Sequence, residues 1–404
     1  MPEQLALCGG SPVRSSLLPY GRQQVGEDDI AAVVAVLRSD WLTVGPAVDA
    51  FERAFAEFVG AQYAVAVSSG TAALHAAMHA LGVGPGDEVI VPSMTFAASA
   101  NCVLYQGGVP IFADVEPETL LLDPLQVEAK ITYRTKAIVA VDYAGQPCDY
   151  DALADIARRY GLALVADACH SVGGSYRGRA VGTLGDLTAF SFHPVKHLTT
   201  GEGGMVTTND ADLARRMRIF RNHGVSTDHR QRAERGSFYY EMVTLGYNYR
   251  ITDFQCALGL SQLGKLSSFV HRRQQIAAWY DAVLTTLNCV TPLVARPDRV
   301  HAYHLYPVQF DVAALGVSRD SLYTALRAEN IGVNVHYLPV HLHPYYRERF
   351  SIGPALCPVA EAAYARLISL PLFPCMTDED AADVVAAVSK VVGHYNRIKV
   401  HFAA

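Results

Sequence analysis

The stretch SFHPVKHLTTGEGG, residues 191–204, decides the fold of this 404-residue chain because it places a lysine, Lys196, between two apolar strand patterns. Residues 187–192 before it and residues 205–208 after it both have the pattern of buried strands. An amine that lies among apolar residues at a strand end loses solvation, so its pKa falls. A neutral lysine can form a Schiff base with an aldehyde, which makes Lys196 a candidate catalytic residue.

A lone lysine is weak evidence, because most lysines beside loops are solvated and do no chemistry. Two further segments supply the partner groups that Lys196 would need. Residues 162–174, LALVADACHSVGG, read as a buried strand that ends in Asp167, and parallel sheets place ligand contacts at such strand ends. Residues 63–81, YAVAVSSGTAALHAAMHAL, read as a strand, a turn and a helix that begins near Gly70 and Thr71. A helix N-terminus favours a bound phosphate. A phosphate anchor, an acid and a Schiff-base lysine together are what pyridoxal phosphate requires.

With these motifs in view, the chain resembles the DegT/DnrJ/EryC1/StrS sugar aminotransferases, which have the aspartate-aminotransferase-like fold. The likeness runs nearly from end to end, through PYGRQQVGEDDIAAVVAVLRSDWLTVGP (19–46), SSGTAALHAA (68–77), VDYAGQP (141–147), DACHSVGG (167–174), SFHPVKHLTTGEGG (191–204) and GYNYRITDFQCALGLSQL (246–263). The resemblance implies an α/β chain with the type I fold of pyridoxal-phosphate-dependent transferases. That fold has a large domain with a mostly parallel seven-stranded sheet and a smaller C-terminal α+β domain.

The motifs and the resemblance together predict the contacts of pyridoxal 5'-phosphate. The predicted cofactor-binding residues are Gly70, Thr71, Phe96, Asp167, His170, Ser191, Lys196 and Asn248. Lys196 is the predicted catalytic residue, which holds the cofactor and moves a proton. Asp167, ionised, keeps the ring nitrogen protonated. The alternative role of Asp167, as a helix cap or turn residue, is plausible only when Asp167 is considered without Lys196 and the phosphate anchor.

The other cofactor residues are assigned by position in the family. Phe96 matches an aromatic ring that stacks on the cofactor, and His170 matches a residue near its phenolic oxygen; an ordinary core phenylalanine and a satisfied core histidine are the alternatives. Ser191 matches a serine on the phosphate. Asn248 matches an asparagine that reaches the phosphate from the other subunit, which implies a homodimer with shared active sites.

Sugar-side residues come from the N-terminal third and from the end of the sheet. The predicted substrate residues are Tyr20, Asp40, Trp41, Leu42, Thr43, His193, His336 and Tyr337. A packed core aromatic is an equally good interpretation of Trp41. The run HYLPVHLHPYY (336–346) places His341 and His343 on one face of a strand pattern that prolines interrupt, and no carboxylate lies within the run, so we expect no metal site.

Composition narrows the class of protein. Half of the residues are hydrophobic and the formal net charge is −6, which gives no basic footprint for nucleic acid or an anionic membrane. Neither a bilayer-length apolar run nor a signal-peptide core is present in the sequence, so we expect a cytoplasmic protein. Eight scattered cysteines without a C-x-x-C pair argue against a disulfide framework.

Alternation of strand and helix patterns from Tyr63 onward indicates a mostly parallel sheet covered on both faces. The predicted strands are residues 63–67, 88–91, 110–113, 136–142, 162–166, 187–191 and 205–208. The predicted helices between and after them include residues 71–81, 97–105, 151–160, 251–266 and 271–287. We predict an N-terminal arm with a large cofactor-binding domain over residues 1–265 and a small domain over residues 266–404.

The resemblance also implies a reaction. Residues 37–46, 141–147 and 335–346 are most similar to enzymes of pseudaminic acid biosynthesis, which implies transfer of an amino group from L-glutamate to C4 of a UDP-4-keto-6-deoxy-N-acetylhexosamine. The family often has histidine where this chain has Asp142 or Tyr143, which leaves open a GDP-4-keto-6-deoxymannose or a 3-keto sugar. Relatives that replace the lysine with histidine dehydrate sugars, so Lys196 favours transamination.

Two readings from other classes remain to be weighed. A non-catalytic regulator with this fold would be expected to lose Lys196 or Asp167, and both are present. A nicotinamide-dependent dehydrogenase would carry G-x-G-x-x-G after its first strand, and SSGTAAL at residues 68–74 is not that motif.

Overall fold

The computed structural model describes residues 4–402. Its strands are β1 (Tyr63–Val67), β2 (Glu88–Pro92), β3 (Val109–Ala113), β4 (Thr135–Val141), β5 (Ala163–Asp167), β6 (Ser175–Tyr176), β7 (Arg179–Ala180), β8 (Leu187–Ser191), β9 (Gly204–Thr208), β10 (Val290–Pro292), β11 (Arg299–Val300), β12 (Tyr306–Phe310) and β13 (Leu367–Leu370). Seven of them form the main sheet, in the order β1-β9-β8-β5-β4-β2-β3. The other six form two three-stranded sheets, β10-β12-β13 and β11-β6-β7.

Helices lie between the strands and at both ends of the chain. The α-helices are α1 (Glu27–Leu37), α2 (Pro46–Val59), α3 (Gly70–Ala80), α4 (Ala98–Tyr105), α5 (Pro124–Glu128), α6 (Tyr150–Tyr160), α7 (Ala211–Phe220), α8 (His229–Glu234), α9 (Asp253–Leu263), α10 (Leu266–Leu284), α11 (Val312–Leu315), α12 (Arg319–Ala328), α13 (Pro344–Phe350), α14 (Pro358–Tyr364) and α15 (Asp378–Phe402). Short 3-10 helices span Ala6–Cys8, Tyr143–Gly145 and Val340–Leu342.

The main sheet confirms the predicted fold. Strands β3, β2, β4, β5 and β8 run parallel, whereas β9 runs antiparallel to both β8 and β1. Its central strands are apolar on both faces, as expected for strands that helices cover on each side. The register places Asp167 opposite Val141 of β4 and Ala189 of β8. The carboxyl ends of β4, β5 and β8 therefore meet at one edge of the sheet.

The predicted element boundaries agree with the structure to within two residues for all seven strands and for the helices α3, α4 and α6. The helix predicted over residues 251–266 agrees at its start to within two residues and is wrong at its end. It begins at Asp253, where the Thr252 N–H and hydroxyl donate to the Gln255 side chain at 3.1 and 2.7 Å, and it ends at Leu263. A second helix, α10, then starts at Leu266, earlier than the predicted residue 271.

Buried apolar side chains form two clusters. The larger surrounds the main sheet and extends into later segments, for example Leu266, Val340 and Leu367. The smaller is built on α10, α12, α15 and the β10-β12-β13 sheet, and it includes Leu5 and Leu18 from the N-terminal arm. The division into domains at residues 265 and 266 stays a prediction. Among the described residues, no helix is both long enough and apolar enough to cross a membrane.

Candidate active site

A cavity of about 530 Å³ opens at the carboxyl edge of the main sheet, a size typical of small-molecule sites. It brings together most of the residues predicted from the sequence. The predicted residues that line it are Tyr20, Gly70, Thr71, Phe96, Asp167, His170, Ser191, His193, Lys196, His336 and Tyr337. These residues come from the arm, the start of α3, the loop between β2 and α4, the ends of β5 and β8 with the turns that follow them, and the segment after residue 334.

Lys196 lies in the turn that follows β8, where its backbone N–H donates to the His193 carbonyl at 2.9 Å. Burial lowers the pKa of its amine; the nearby Cys169 and Asp167 oppose this shift, and Arg273 adds to it. The Nζ atom lies 3.4 Å from Nε2 of His304, within hydrogen-bonding distance. A lysine with a lowered pKa is more readily deprotonated, so it can act as a nucleophile and as a base.

Asp167 ends strand β5 and is buried at the wall of the cavity. The Ser99 hydroxyl donates to its Oδ2 at 2.7 Å, and the Cys169 backbone N–H donates to its Oδ1 at 3.2 Å. Thr95 extends this network through a 2.7 Å bond to the Ser99 hydroxyl. Both carboxylate oxygens are thus held by donors, which fixes the orientation of a charge that faces the cavity.

The start of α3 forms a cradle for an anion. Ser69 caps the helix by accepting a hydrogen bond from the Ala72 N–H at 3.1 Å, which leaves the first N–H groups of the helix directed outward. A Cβ atom added to Gly70 would lie 2.7 Å from the Cβ of Ser191. Glycine at this position therefore allows the helix end and the end of β8 to approach each other closely.

We expect Gly70→Ala to weaken the binding of pyridoxal phosphate about tenfold or more, because relief of the clash with Ser191 must move one wall of the cradle at a cost of about 1–3 kcal/mol. Equilibrium dialysis of the apoprotein against the cofactor measures the change. Gly84→Ala is the matched control, since an alanine Cβ there meets open space. Equal cofactor affinity of Gly70→Ala and the wild type would exclude this cradle as the phosphate site.

Aromatic side chains form the mouth of the cavity. The Phe96 ring is 59% exposed and lies 6.0 Å from the Tyr337 ring, between centroids. An ordinary core phenylalanine would be buried, so the exposure of Phe96 leaves its ring available to a bound ring system. The Tyr337 hydroxyl is hydrogen-bonded to Nε2 of His170 at 3.1 Å. His170 is buried, and burial lowers its pKa well below the usual range.

The structure does not bring every predicted residue into this cavity. Asn248 is exposed and pairs with Asn222 in an isolated antiparallel bridge. Residues 40–43 are exposed as well: Trp41 packs against His229 with ring centroids 5.4 Å apart, and the Leu42 carbonyl accepts from the Asp253 N–H. Trp41 is thus not a core aromatic. Within one chain these residues do not line the site, and their roles stay predictions.

Several residues that line or support the cavity have no counterpart in the sequence predictions. Thr95, Ser99, Glu202, His304 and Asn334 are among them. Ser99 could have been found, since it lies one helical turn after Phe96 in the PSMTFAAS segment. His304 gave no signal, because it lies 108 residues after Lys196 in a loop without a recognisable spacing.

The positions at which this chain departs from the family lie behind the cavity. Asp142 is buried and accepts from Ser171, Tyr150 and the Cys148 N–H, and burial raises its pKa to about 7. Tyr143 is also buried, and its hydroxyl donates to the His336 carbonyl. Tyr143 therefore contacts the backbone of His336, one of the predicted substrate residues.

The histidine run after residue 336 does not form the strand that its spacing suggested. Residues Val340–Leu342 are a 3-10 helix, and Pro344 starts α13. The two ring nitrogens of His341 are hydrogen-bonded to the Ser93 hydroxyl at 2.6 Å and to the Glu361 carboxylate at 2.9 Å. Within residues 4–402, no cluster of histidine, cysteine and acidic side chains has the arrangement of a metal site.

These side chains fit pyridoxal phosphate on structural grounds. The cavity presents an anion cradle that a Cβ would fill, an exposed aromatic ring, an oriented carboxylate and an amine with a lowered pKa. The cradle is suited to a phosphate and the aromatic ring to a flat ring system. The carboxylate is suited to a ring N–H, and the amine to an aldehyde. The cofactor supplies the reactive aldehyde and the electron-withdrawing ring, and the chain supplies the contacts.

Comparison with known proteins leads to the same chemistry. The model of the DegT/DnrJ/EryC1/StrS aminotransferase family matches residues 23–389. The spore coat polysaccharide biosynthesis protein SpsC of Bacillus subtilis is 46% identical over 382 residues, which cover 94% of this chain and 98% of that protein.

Solved structures agree in fold over almost the whole length. Helicobacter pylori PseC, an aminotransferase involved in the biosynthesis of pseudoaminic acid, matches with a TM-score of 0.87 and 31% identity over 94% of this chain and 100% of its own. The PLP form of the putative sugar aminotransferase Spr1654 of Streptococcus pneumoniae matches with a TM-score of 0.86 and 30% identity over 94% and 99% of the two chains. The chain therefore belongs to the DegT/DnrJ/EryC1/StrS aminotransferase family and is a pyridoxal-phosphate-dependent sugar aminotransferase.

Proposed function

We propose that this enzyme transfers an amino group from L-glutamate to C4 of UDP-2-acetamido-2,6-dideoxy-β-L-arabino-hex-4-ulose, a UDP-4-keto-6-deoxy-N-acetylhexosamine, in the biosynthesis of a pseudaminic acid-type sugar. The observation that carries the proposal is the shared cavity: the amine of Lys196 opens into the same space as the sugar-side residues Tyr20, His193, His336 and Tyr337. The similarity to PseC supports the choice of sugar.

Each side chain has a proposed task in this reaction. Lys196 holds the cofactor's aldehyde carbon through Nζ, and when Nζ is free it takes up a proton and gives it back within the cavity. Asp167 keeps a proton on the cofactor's ring nitrogen by facing it with a negative charge. Gly70, Thr71 and Ser191 hold the phosphate, and Phe96 covers one face of the ring.

Sugar contacts are proposed for the remaining wall. The imidazole of His336 is held by the Ser369 hydroxyl at 2.9 Å, and burial lowers its pKa to about 3. It is therefore neutral at physiological pH and can form hydrogen bonds with sugar hydroxyls without a net charge. Burial also raises the pKa of Tyr20, whose ring packs 5.5 Å from the His336 ring, so its hydroxyl keeps its hydrogen as a donor.

A spectrum of the purified holoenzyme tests the proposal. Addition of L-glutamate is expected to bleach the visible band of the bound cofactor, and addition of the UDP-4-keto sugar is expected to restore it, with a UDP-4-amino sugar found by mass spectrometry. A band that glutamate bleaches and that only GDP-4-keto-6-deoxymannose or a 3-keto sugar restores would replace our substrate. A band insensitive to every amino donor would favour a non-catalytic regulator.

We also propose that the active enzyme is a homodimer with shared sites, located in the cytoplasm. The residues predicted to contact ligands from outside the cavity, Asn248 and the segment 40–43, lie on the surface of the single chain. Around them the surface is unusually apolar for a monomer. The exposed hydrophobic side chains there are Trp41, Leu42, Phe238, Tyr239, Tyr240, Met242, Val243, Leu245 and Tyr247. A second copy of the chain would cover this surface and bring Asn248 to the partner's cavity.

Mixing two inactive variants tests the shared site. If Asn248 serves the partner's cavity, a dimer of one Lys196→Ala and one Asn248→Asp subunit holds one site with both native residues. Random reassortment of equal amounts is then expected to restore about a quarter of wild-type activity, since half of the dimers are mixed and each has one intact site. Asn222→Asp, beside Asn248 in the isolated bridge, is the matched control for surface charge. Mixtures that stay inactive would show that Asn248 serves the cavity of its own chain, and an Asn248→Asp variant that is active by itself would show that Asn248 serves neither cavity.

A further inference from the structure

Buried polar atoms without a partner are concentrated behind Lys196. Among the described residues they include Nδ1 of His170, Nδ1 of His197, Nδ1 of His304, and Nε and Nη2 of Arg273. The ring centroid of His304 lies 4.4 Å from that of His170 and 5.7 Å from that of His197. The Arg273 guanidinium donates a hydrogen bond to the His304 carbonyl oxygen at 3.2 Å. Since unpaired buried polar groups destabilise a fold, such a concentration indicates a role other than stability.

His304 is the member of this group that touches the catalytic lysine. Its Nε2 lies 3.4 Å from Lys196 Nζ, and among the described residues this is the side-chain hydrogen-bond partner found for that amine. The distance is long for a hydrogen bond, but such bonds commonly tighten when a substrate or cofactor is present.

The backbone holds His304 tightly. The next residue, Leu305, donates its N–H to the Ala144 carbonyl at 3.1 Å. Gly145, with φ of +108°, lies so close that an added Cβ would meet the His304 nitrogen at 2.9 Å and the His170 carbonyl at 2.7 Å. The glycine of the VDYAGQP segment thus allows the loop that carries His304 to approach the strand end that carries His170.

We propose that His304 is a positioning residue: its neutral imidazole accepts a hydrogen bond from Lys196 Nζ and holds the free amine at the cavity between the two halves of the reaction. The inference rests on the role proposed for Lys196 and is independent of which sugar is the substrate.

The surroundings favour an acceptor at Nε2. Burial lowers the pKa of His304 well below its usual range, and the charges of Lys196 and Arg273 add to that shift. The ring is therefore neutral, and because Nε2 accepts from the lysine, its hydrogen must be on Nδ1. Asp167, at the end of strand β5, and Cys169, in the turn after it, act on the amine, whereas Arg273, His170 and His197 contact His304. His304 cannot retain the lysine's proton in this environment, so it orients the amine without removing its basicity.

The test measures the pKa of Lys196 in the apoprotein, which needs neither cofactor nor sugar. Acetic anhydride is added in short pulses between about pH 6 and pH 11, and mass spectrometry quantifies acetylation of the peptide that contains Lys196. Loss of an acceptor disfavours the ammonium form, so the midpoint for His304→Phe is expected to fall by about one pH unit. His304→Gln, which keeps an acceptor, is expected to remain within about 0.3 unit of the wild type.

His301→Phe is the matched control, because His301 lies in the same loop and its Nδ1 accepts from the Tyr303 N–H instead of from the lysine. Its midpoint is expected to be that of the wild type. If His304→Phe fails to fold, His304→Leu, which is smaller, replaces it. In the holoenzyme, kcat of the apolar variant is expected to fall about tenfold with an unchanged KM for the keto sugar.

An unchanged Lys196 midpoint in both apolar variants would overturn the proposal, and so would equal shifts in His304→Phe and His301→Phe, which would indicate a loop effect only. A separate outcome concerns Lys196 itself. If Lys196→Ala retains the visible band of the holoenzyme, the role of Lys196 fails, whatever the behaviour of His304.

Discussion

The Lys196→Ala variant is expected to lose the visible band of covalently held pyridoxal phosphate and at least about 10³-fold in transaminase rate, the middle of the roughly 10²- to 10⁴-fold that one proton-transferring group contributes. The physical reason is that the described residues lining the cavity include no second amine that could replace that of Lys196. Among the described residues that line the cavity, Lys196 is the one lysine, and no arginine lines it. Removing its amine therefore removes both the covalent contact and the proton carrier.

Thermal unfolding of Lys196→Ala should remain close to that of the wild type, since the deleted amine lies at the edge of an open cavity and not in either hydrophobic cluster. Lys136→Ala is the matched control: Lys136 is a surface lysine that pairs with Asp87 at 2.9 Å. It is expected to keep both colour and activity. A Lys196→Ala protein that remains yellow after dialysis would contradict the assignment.

Asp167→Asn is expected to lower kcat about 10²- to 10³-fold, which corresponds to about 3–4 kcal/mol of activation free energy. The variant keeps the shape of the carboxylate and removes its charge. The cofactor's ring nitrogen then loses the negative partner that keeps it protonated, so the ring withdraws electrons less strongly. Cofactor colour is expected to persist, because Lys196 is intact.

A graded series separates charge from geometry at this position. Ser99→Ala removes one 2.7 Å hydrogen bond to Asp167 and leaves its charge in place, so we expect a decrease of about tenfold in kcat. Acetylation of the apoprotein adds a second readout for Asp167→Asn. Asp167 raises the pKa of Lys196, and its neutralisation is therefore expected to lower the labelling midpoint of that lysine. Equal kcat values for Asp167→Asn and Ser99→Ala would show that orientation, and not charge, is what matters.

The sequence was sufficient for the sheet because its strands are short apolar runs, separated by helices with clear start signals. Tyr63–Val67 and Leu187–Ser191 have the predicted bounds, and Asp167 lies at the predicted strand end. Local pattern determines such features, since burial on both faces of a parallel strand requires continuous apolar residues. The same logic correctly placed Gly70 and Lys196 in one cavity.

The local sequence pattern could not predict contacts between loops that are far apart in the chain. His304 meets Lys196 across 108 residues, and its position depends on the close approach that Gly145 allows. Trp41 and Asn248 illustrate a second limit, because both lie on the surface of the single chain and the sequence pattern does not show whether they contact the site of a second chain. The helix that was predicted to continue to residue 266 ends at Leu263, because Gly264 is its C-cap and a separate helix, α10, begins at Leu266.

The arm's place in the smaller hydrophobic cluster has a consequence for synthesis on the ribosome. Leu5 and Leu18 pack with residues of α12 and α15, and the Ala6 N–H donates to Glu329, 323 residues later. The strands of the main sheet, in contrast, are complete once Thr208 has been made. The sheet can therefore assemble while the chain is still being elongated, whereas the arm must wait for α12 and α15. Nascent chains halted before α15 would carry a formed cofactor sheet and an undocked arm.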